Sequence, residues 1–424
     1  SYCGSPRFKR DYQATSNRQF NGQAAKEVFY LIDIYHKSSK IWKLLQEDLK
    51  MDTSNLDKSD FPHLKEILST KAGLYFDAVI MDEASKATPP EMVLPLCFGK
   101  KSIIIGDHKQ LPPMINEREF KEVLIEEAGA EKLADSIGYN YLKESQFKRL
   151  IMNPKVSPTI KATFDVQYRM HAQIGALIQQ FYPELPNGLI CGIKDQQDLR
   201  DLAHPASRHH GFHHPGFIQP HQHVLWIDVP APETKLGTSR VNDQEVATVR
   251  RVLQYLKNAD GYAAFQAHWA TEKDPDKRRQ AQEIGIISFY GQQVQRLKAV
   301  QRYAQQQLGM AIRLKTVDKF QGMERNIVVV STLRSNTIVD TATGRAVPNR
   351  RGRDWRSYSP WGFADSPERL TVALSRARRL LIIVGNRQHF ADFKKKDGVA
   401  TYKKVINQIP SANIIDYRSL NQYP

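Results

Sequence analysis

The chain has 424 residues, which is enough for two or three domains with full-sized cores. Its hydrophobic content of 41% excludes wholesale disorder, and its net charge of +16 sets it apart from acidic proteins. No apolar run approaches the roughly 20 residues that span a bilayer, and the first residues lack the apolar segment of a signal peptide. We therefore expect an intracellular protein, cytoplasmic or nuclear, with no membrane partner.

The charge balance and the cysteines narrow the class of partner. Lysine and arginine outnumber aspartate and glutamate by 61 to 45, which favours a polyanion bound through its phosphates. A basic surface without a partner is the alternative. The three cysteines lie far apart, so the sequence predicts neither a disulfide framework nor a cysteine zinc site.

The amino-terminal third begins with helical patterns and then turns to strands. Apolar spacing predicts one or two helices over Ala24–Leu49 and another over Phe61–Ser69. The segment Phe76–Pro113, FDAVIMDEASKATPPEMVLPLCFGKKSIIIGDHKQLPP, holds two short apolar runs that each end in polar residues. Such runs are typical of buried strands. Because ligands bind at the carboxyl ends of parallel strands, we expect both polar tips to belong to one site.

A stretch with a helical pattern and two prolines separate this segment from the rest of the chain. The stretch Glu119–Gly138 is the clearest helical pattern, and Pro154 and Pro158 follow the segment SQFKRLI. Proline-rich joints of this kind often mark domain boundaries. We therefore predict a first domain over residues 1–152 and a second over residues 153–424.

A histidine-rich loop, residues 183–223, holds seven of the thirteen histidines. Imidazoles bind zinc, copper and nickel, so a metal site is one interpretation. The stretch lacks ordered ligand spacing and is rich in proline and glycine, which favours a variable surface loop.

Strands and helices alternate again after this loop. The pattern predicts strands at VLWIDV, IGIIS, NIVVVST and LLIIVGN, helices at Asn242–Leu256, Gly291–Leu308 and Ser366–Arg378, and loops at Thr316–Gly322 and up to about Asp365. Apolar strands alternating with helices are typical of a mostly parallel sheet covered on both faces. The fold class is therefore α/β.

Seven segments occur in an order that identifies a family resemblance. VIMDEAS, IIIGDHKQLPP, SQFKRLI, QYRMH, IGIISFYGQQ, TVDKFQGMERNIVVVS and RLTVALSRARRLLIIVGN follow one another as they do in superfamily 1 helicases. They look most like the up-frameshift group, which includes senataxin-type proteins. The resemblance covers about Phe76–Asn386 and implies two RecA-like domains with mostly parallel sheets, the first of them incomplete here.

The resemblance implies a nucleotide site built on the first domain. Asp82 would hold Mg²⁺, and Glu83 would orient and activate the water that attacks the γ-phosphate of ATP. Gln110 would sense the γ-phosphate. An acidic pair at the end of an ordinary strand is the alternative for Asp82 and Glu83.

Further roles fall on the second domain. Arg169 of QYRMH and Arg376 of ALSRAR would act as arginine fingers, with Arg378 as the neighbouring candidate, because a guanidinium matches phosphate oxygens. The resemblance places Gly322 and Glu324 near the nucleotide, with Glu324 on the ribose. In addition, Thr316 would contact a phosphate of the nucleic-acid strand.

The chain departs from the family in lacking the segment G-x-x-x-x-G-K-[ST], whose amides and lysine hold the phosphates. FGKKS at Phe98–Ser102 lacks the first glycine and follows the acidic pair instead of preceding it. We expect the chain to be the carboxyl-terminal part of a longer helicase, with further domains or partners upstream of residue 1. This chain alone is then expected to be inactive.

The sequence thus predicts a helicase or translocase that binds ATP and Mg²⁺ and acts on single-stranded or duplex RNA or DNA. ATP would be hydrolysed between the two RecA-like domains, and the resemblance implies movement from 5′ to 3′. Two alternatives stay open: a nucleic-acid-binding scaffold that does not hydrolyse ATP, and a helicase module of a larger nuclease or immune effector.

Overall fold

The computed structural model of the protein describes residues 76–96, 98–113, 145–193, 202, 204, 206–237, 239–340, 342–349, 362–391 and 401–421. The helices predicted at Ala24–Leu49, Phe61–Ser69 and Glu119–Gly138 lie outside these residues. The chain divides into two compact units between Ala162 and Thr163. Within the described ranges, no helix has the length and apolar character that crossing a membrane requires.

The described residues of the first unit include a pair of parallel strands and two α-helices. They are β1 (Phe76–Met81), α1 (Pro89–Leu96), β2 (Gly99–Ile104) and α2 (Gln146–Met152). Ile80 of β1 lies opposite Ile103 of β2 in the parallel register. Ala84, Met92 and Phe147 form the buried core that ties the end of β1 to both helices. The two predicted apolar runs are therefore parallel strands that end at the same edge. The expectation that they are buried is wrong, because Ile80 is 65% exposed and Ile103 is 52% exposed.

The second unit is larger and begins with short strands. Its elements are β3 (Val166–Gln167), α3 (Ala172–Gln179), β4 (Ile190–Cys191), β5 (Val224–Asp228), β6 (Thr234–Leu236), β7 (Ser239–Val241), α4 (Asp243–Asn258), α5 (Tyr262–Ala270), α6 (Pro275–Gln282), β8 (Ile284–Ser288), α7 (Gly291–Gln307), β9 (Ile312–Thr316), α8 (Val317–Phe320), β10 (Arg325–Ser331), β11 (Thr337–Val339), β12 (Ala346–Pro348), α9 (Pro367–Leu374), β13 (Ala377–Gly385), α10 (Arg387–Ala391), α11 (Thr401–Gln408) and β14 (Ile414–Asp416).

Six of these strands form one parallel sheet in the order β14, β5, β13, β10, β8, β9. The central strands β8 and β10 are buried along their whole length, which is why their sequences IGIIS and RNIVVVS are almost continuously apolar. Helices α4 and α7 pack on this sheet through residues such as Val249, Val252 and Leu297. The predicted α/β class with a parallel sheet is confirmed.

Local signals explain where the helices begin. The side chain of Asn242 accepts a hydrogen bond from the backbone N–H of Glu245 and so caps α4. Ser366 caps α9 in the same way through the N–H of Arg369, and Pro367 occupies the first helical position. Helix α9 ends at Leu374, earlier than the predicted Arg378, because β13 begins at Ala377. The polar turn between them carries Arg376.

Two predicted loops contain regular structure. The segment predicted as a loop over Thr316–Gly322 includes the end of β9 and the short helix α8. The long loop expected up to about Asp365 contains the antiparallel hairpin β11–β12, whose register pairs Ile338 with Val347. The charged stretch after Trp269 includes α6, capped by Asp274.

The interpretation of residues 183–223 as a variable surface loop is wrong for residues 206–223. His210 and Phe212 are fully buried, and Phe217 and Ile218 belong to the core of the second unit. His210 Nε2 lies 2.9 Å from the Gln222 carbonyl oxygen, which satisfies one of its ring nitrogens inside the protein. The segment therefore forms part of the core on which the site residues rest.

Candidate active site

The carboxyl ends of β1 and β2 come together as their parallel pairing requires. Beyond the strands, the Ala84 N–H donates to the Ile105 carbonyl at 2.9 Å. The Asp107 N–H donates to Ser85 Oγ at 2.6 Å, which joins the DEAS segment to the GDHKQ segment. A side chain at Gly106 would place its Cβ 2.8 Å from Ser85 Oγ, so this contact depends on glycine. The two polar tips therefore share one edge of the sheet.

Asp82 and Glu83 are exposed at this edge. The backbone of Glu83 has φ of 56°, in the left-handed region that non-glycine residues rarely adopt. Its N–H donates to Asp82 Oδ1 at 2.8 Å, which supports the turn. Strained backbone of this kind concentrates at functional sites. The turn presents two carboxylates side by side, and exposed carboxylate oxygens are the ligands that Mg²⁺ prefers.

Gln110 lies on the same edge and contacts the second tip. Its Nε2 donates to Asp107 Oδ2 at 2.8 Å, and its backbone N–H donates to the Asp107 carbonyl at 3.0 Å. Because the Asp107 N–H is bound to Ser85, the amide of Gln110 connects through two hydrogen bonds to the acidic segment. This arrangement links the candidate sensor residue to the candidate metal and water residues.

In the second unit, Glu324 pairs with two arginines. Its Oε2 lies 2.8 Å from Arg169 Nε, and its Oε1 lies 3.5 Å from Arg378 Nη1. All three side chains are partly exposed, at 41% for Arg169, 35% for Arg378 and 33% for Glu324. The structure thus brings Arg169 and Glu324 together as neighbours and adds Arg378 to them.

Arg376 occupies a different environment. Its side chain is 2% exposed, and its guanidinium donates to the Val372 carbonyl at 3.1 Å, to Ser375 Oγ at 2.8 Å and to the Met323 carbonyl at 3.5 Å. These bonds join the end of α9 to the QGME segment. In this conformation Arg376 is directed into the second unit, and Arg378 is the more accessible arginine of the ALSRAR segment.

Gly322 and Thr316 lie on either side of α8. Gly322 has φ of 78° and turns the chain from α8 towards β10, with open space where a Cβ would stand. Thr316 is the last residue of β9 and is half-buried, opposite Ser288 of β8. Thr316 therefore lies at the carboxyl edge of the parallel sheet, where ligands of such sheets bind.

Arg208 is a residue of this site that the sequence analysis missed. Its Nε donates to the Arg169 carbonyl at 2.7 Å and its Nη2 to the Tyr168 carbonyl at 2.7 Å. Burial, together with the charge of Arg378, lowers the pKa of Arg208 to about 10, so the side chain stays charged at neutral pH. Its position in the histidine-rich segment gave no motif signal. Arg208 holds the turn that carries Arg169.

Three histidines beside this turn meet the distance requirement for a metal site. The ligand atoms of His171, His209 and His223 lie within 4.8 Å of one another. The rings of His171 and His223 are stacked 3.4 Å apart with an angle of 13° between their planes. Imidazole lone pairs lie in the ring plane, and two near-parallel planes do not converge on one ion. Arg379, whose guanidinium donates to the His209 carbonyl, adds positive charge there, so this arrangement does not fit a shared cation.

Burial keeps the stacked rings of His171 and His223 neutral. Desolvation, followed by the neighbouring imidazoles, lowers the pKa of His171 to about 3 and that of His223 to about 2. His223 Nδ1 lies 2.7 Å from the Arg379 carbonyl oxygen, which a neutral ring can reach as a donor. The stack therefore acts as packing beneath the arginines.

Comparison with known proteins supports the sequence resemblance. A family model described as an AAA domain matches residues 142–388, which is more than half of the chain. A second AAA domain model matches residues 63–118. The two matches cover both candidate nucleotide segments.

Two of the three relatives described next are named as helicases. The chain is 30% identical over 326 residues to the DNA replication ATP-dependent helicase/nuclease DNA2 of Homo sapiens, covering 73% of this chain and 24% of that protein. It is 28% identical to a regulator of nonsense transcripts 1 homolog of Drosophila melanogaster, covering 73% and 21%, and 28% identical to helicase SEN1 of Saccharomyces cerevisiae, covering 78% and 12%. The chain thus spans a quarter or less of the length of these relatives. Among solved structures, a PRRSV helicase matches 73% of this chain and 35% of its own at 12% identity and a TM-score of 0.29.

Proposed function

The chain belongs to the superfamily 1 helicases of the up-frameshift group, and on this premise we propose that the protein is an ATP-dependent nucleic-acid helicase or translocase. The observation that carries the proposal is the hydrogen bond between Asp107 and Ser85, which unites the acidic pair and the Gln110 segment at one sheet edge. Surface acids on unrelated strands would have no reason to share such a contact.

Within the proposal, Asp82 holds Mg²⁺, and the exposed carboxylate at the end of β1 fits that role. The ion, when bound, neutralises phosphate charge. Glu83 orients the attacking water and accepts its proton, while Asp82 serves the metal ion. Gln110 contacts the γ-phosphate, and its hydrogen bond to Asp107 couples that contact to Asp107.

Arginines of the second unit supply the positive charge for phosphoryl transfer. Arg169 is proposed as one finger, supported by its exposure and by the rigid hold of Arg208 on its carbonyl. For the second finger there are two candidates. Arg376 occupies the position that the family resemblance indicates, whereas Arg378 has the more exposed side chain. Arg376 acts only if its hydrogen bonds to Val372, Ser375 and Met323 are exchanged for phosphate oxygens.

The remaining site residues complete the nucleotide and strand contacts. Gly322 and Glu324 are proposed near the nucleotide, with Glu324 accepting from the ribose after Arg169 turns to phosphate. Thr316 is proposed to donate to a phosphate of the bound strand. Movement from 5′ to 3′ along RNA or DNA follows from the family and is part of the proposal.

Steady-state ATP hydrolysis tests this account. With no phosphate-loop segment in its sequence, the 424-residue chain is expected to hydrolyse ATP at a rate close to that of buffer, with or without single-stranded RNA or DNA. Robust stimulated hydrolysis by this chain would contradict the account of the phosphate loop. In a form of the protein that carries a phosphate loop, Glu83→Gln is expected to abolish hydrolysis and leave ATP binding in place.

A scaffold that binds nucleic acid without hydrolysing ATP is the second candidate, favoured by the missing phosphate-loop segment. Glu83, Gln110 and Arg169 count against it, because a scaffold needs no water-activating acid or finger. The sequence encoded upstream of Ser1 separates the candidates: a phosphate loop there supports the enzyme, and a nuclease or sensor domain there supports a module of a larger effector.

A further inference from the structure

Phe363 is a large aromatic side chain that the site described above does not use. It is 55% exposed and lies in a short 3₁₀ turn, Gly362–Asp365, just before α9. A single exposed hydrophobic residue is common and needs no explanation by itself. The contacts that hold this ring in place are more informative than its exposure.

The backbone at Phe363 is fixed from below by Tyr290. The Phe363 N–H donates to Tyr290 Oη at 3.1 Å, and the two ring centroids lie 5.4 Å apart. Gly362 has φ of 52°, and a Cβ there would collide with Tyr290 Oη and Arg334 Nη1. Only glycine allows this close approach, so the position and direction of the Phe363 ring are tightly set.

Tyr290 is itself held by a buried charged network. Arg334 Nη1 donates to Tyr290 Oη at 3.1 Å, and Arg334 Nε donates to Glu233 Oε2 at 2.8 Å. Arg334 is 1% exposed and Glu233 is fully buried, with Arg240 as a second cationic partner of the carboxylate. The Tyr290 hydroxyl is therefore joined through Arg334 to a fully buried carboxylate. The exposed ring thus stands on a rigid base.

A cation and the strand-binding segment lie beside the ring. The guanidinium carbon of Arg369 is 5.1 Å from the Phe363 ring centroid. Arg369 Nε donates to Asp318 Oδ1 at 3.0 Å, and Asp318 lies two residues after Thr316, the proposed phosphate contact. Tyr290 follows β8 and Thr316 ends β9, which are neighbouring parallel strands. The ring and the phosphate contact therefore share the carboxyl edge of the sheet.

The geometry points to Phe363 as a platform on which a base of a single nucleic-acid strand stacks, an inference that rests on the nucleic-acid binding proposed above. An exposed aromatic face beside a cation and a phosphate contact is the combination with which proteins bind single strands independently of sequence. The bases of a duplex are already stacked, so Phe363 favours single strands over duplex. Tyr290 and Gly362 position the ring and do not contact the strand.

Fluorescence anisotropy of the 424-residue chain with short labelled single strands tests the inference. Phe363→Ala is expected to weaken binding about 5- to 100-fold, whereas Phe363→Trp keeps it. Phe164→Ala is the matched control, because Phe164 is 83% exposed in the same unit and lies in neither the site nor the network. With 2-aminopurine in the strand, binding by the unaltered chain is expected to quench its fluorescence, and Phe363→Ala is expected to lose that quenching.

An oligonucleotide with abasic positions separates stacking from a structural role. It keeps the phosphates and lacks the bases, so the unaltered chain and Phe363→Ala are expected to bind it equally. A loss of binding to the abasic strand as large as the loss to the intact strand would show that Phe363 is structural and overturn the inference. Equal binding of the intact strand by the two proteins would also overturn it. Failure of the unaltered chain to bind any strand would instead contradict the proposed function and, with it, the inference.

Discussion

Arg376 and Arg378 are two residues apart and have opposite surroundings. The guanidinium of Arg376 is enclosed by acceptors of the second unit, whereas Arg378 is partly exposed beside Glu324. The Nε atom of Arg378 is buried, and among the described residues it has no hydrogen-bond partner. A buried donor left in this state costs free energy unless a ligand uses it. Arg378 therefore has an unused donor directed away from solvent.

The two arginines should differ sharply in their effect on stability. Arg376→Ala removes a buried charge and leaves two carbonyls without their donor, so we expect the free energy of unfolding to fall by about 2–4 kcal/mol. Arg378→Ala removes one exposed ion pair, with an expected change below about 1 kcal/mol. Urea unfolding followed by circular dichroism measures both. Equal costs would mean that Arg376 is not held as the structure shows.

The hold of Arg208 on the QYR turn gives a second expectation at this scale. Arg208→Ala is expected to destabilise the turn locally by about 1–3 kcal/mol, because two main-chain carbonyls lose a charged donor. Arg208→Lys should recover little, since one ammonium group does not match the spread of a guanidinium.

Amide hydrogen exchange can follow this change directly. The N–H groups of Arg169 and Met170 both donate to Gln167 Oε1 at 2.9 Å, and we expect them to exchange faster in Arg208→Ala. Arg418→Ala is the control, because Arg418 is 71% exposed and pairs only locally with Asp416. Unchanged exchange at Arg169 in Arg208→Ala would refute the positioning role.

At the scale of elements, His171 and the buried histidines of residues 206–223 make the second unit sensitive to acid. Burial lowers the pKa of His171 to about 3 and of His223 to about 2, and places that of His210 well below its ordinary value of 6.5. The unfolded chain binds protons below pH 6.5 whereas the folded chain does not. The contribution of these histidines to the free energy of unfolding is therefore complete above pH 6.5 and is lost as the pH decreases below that value.

Urea unfolding between pH 5 and 7.5 tests this expectation. Each such histidine contributes a slope of up to about 1.4 kcal/mol per pH unit below pH 6. His223→Asn keeps a donor near the Arg379 carbonyl and should reduce the slope by about one proton. His221→Asn, at an exposed position, should leave the slope unchanged. A slope in His223→Asn equal to that of the unaltered chain would mean that His223 is protonated in the folded state.

The turn before α9 gives a prediction that joins fold and function. Gly362→Ala places a Cβ against Tyr290 Oη and Arg334 Nη1 at a backbone conformation that alanine resists. We expect a loss of about 2 kcal/mol or more in the free energy of unfolding. Gly291→Ala is the matched glycine control, since its Cβ would meet open space. Equal stability of the two variants in thermal unfolding would contradict the contact.

Elements with a strong pattern were predictable, and edge elements were not. β8 and β10 were predictable as strands because both faces are buried, so each contains an unbroken run without polar residues, IGII in β8 and IVVV in β10. β9, with the sequence IRLKT, alternates charged and apolar residues at the sheet edge and escaped prediction. β14, three residues long at the other edge, escaped it too.

The same contrast holds for the site. It was predictable that Asp82, Glu83 and Gln110 lie at one edge of the sheet, because parallel strands bring their carboxyl ends together. The role of Arg208 was not, because it holds the carbonyls of Arg169 and Tyr168, which lie 39 and 40 positions away, and carbonyls have no sequence signature. The burial of His210 was hidden for a similar reason: histidine counts as polar in any pattern, and only the packing around it decides its exposure.

At the scale of the whole molecule, each unit supplies different residues for the proposed activity, and the net positive charge favours nucleic acid as the partner. The predicted boundary after residue 152 stays a prediction, and the division of the chain into two compact units falls between Ala162 and Thr163. The first unit presents acids at its sheet edge, and the second presents arginines and the aromatic ring at its own. The surplus of sixteen positive charges suits a polyanionic strand as the common partner.

Binding of single-stranded RNA and DNA by the 424-residue chain, measured by anisotropy as a function of salt, tests the central claim most directly. Neutralised phosphates release counterions, so the account predicts binding at about 50 mM salt that weakens at least about tenfold by about 200 mM, with little dependence on sequence. No binding at the lower salt concentration, or binding that salt leaves unchanged, would contradict the claim that this chain is the strand-binding part of a helicase.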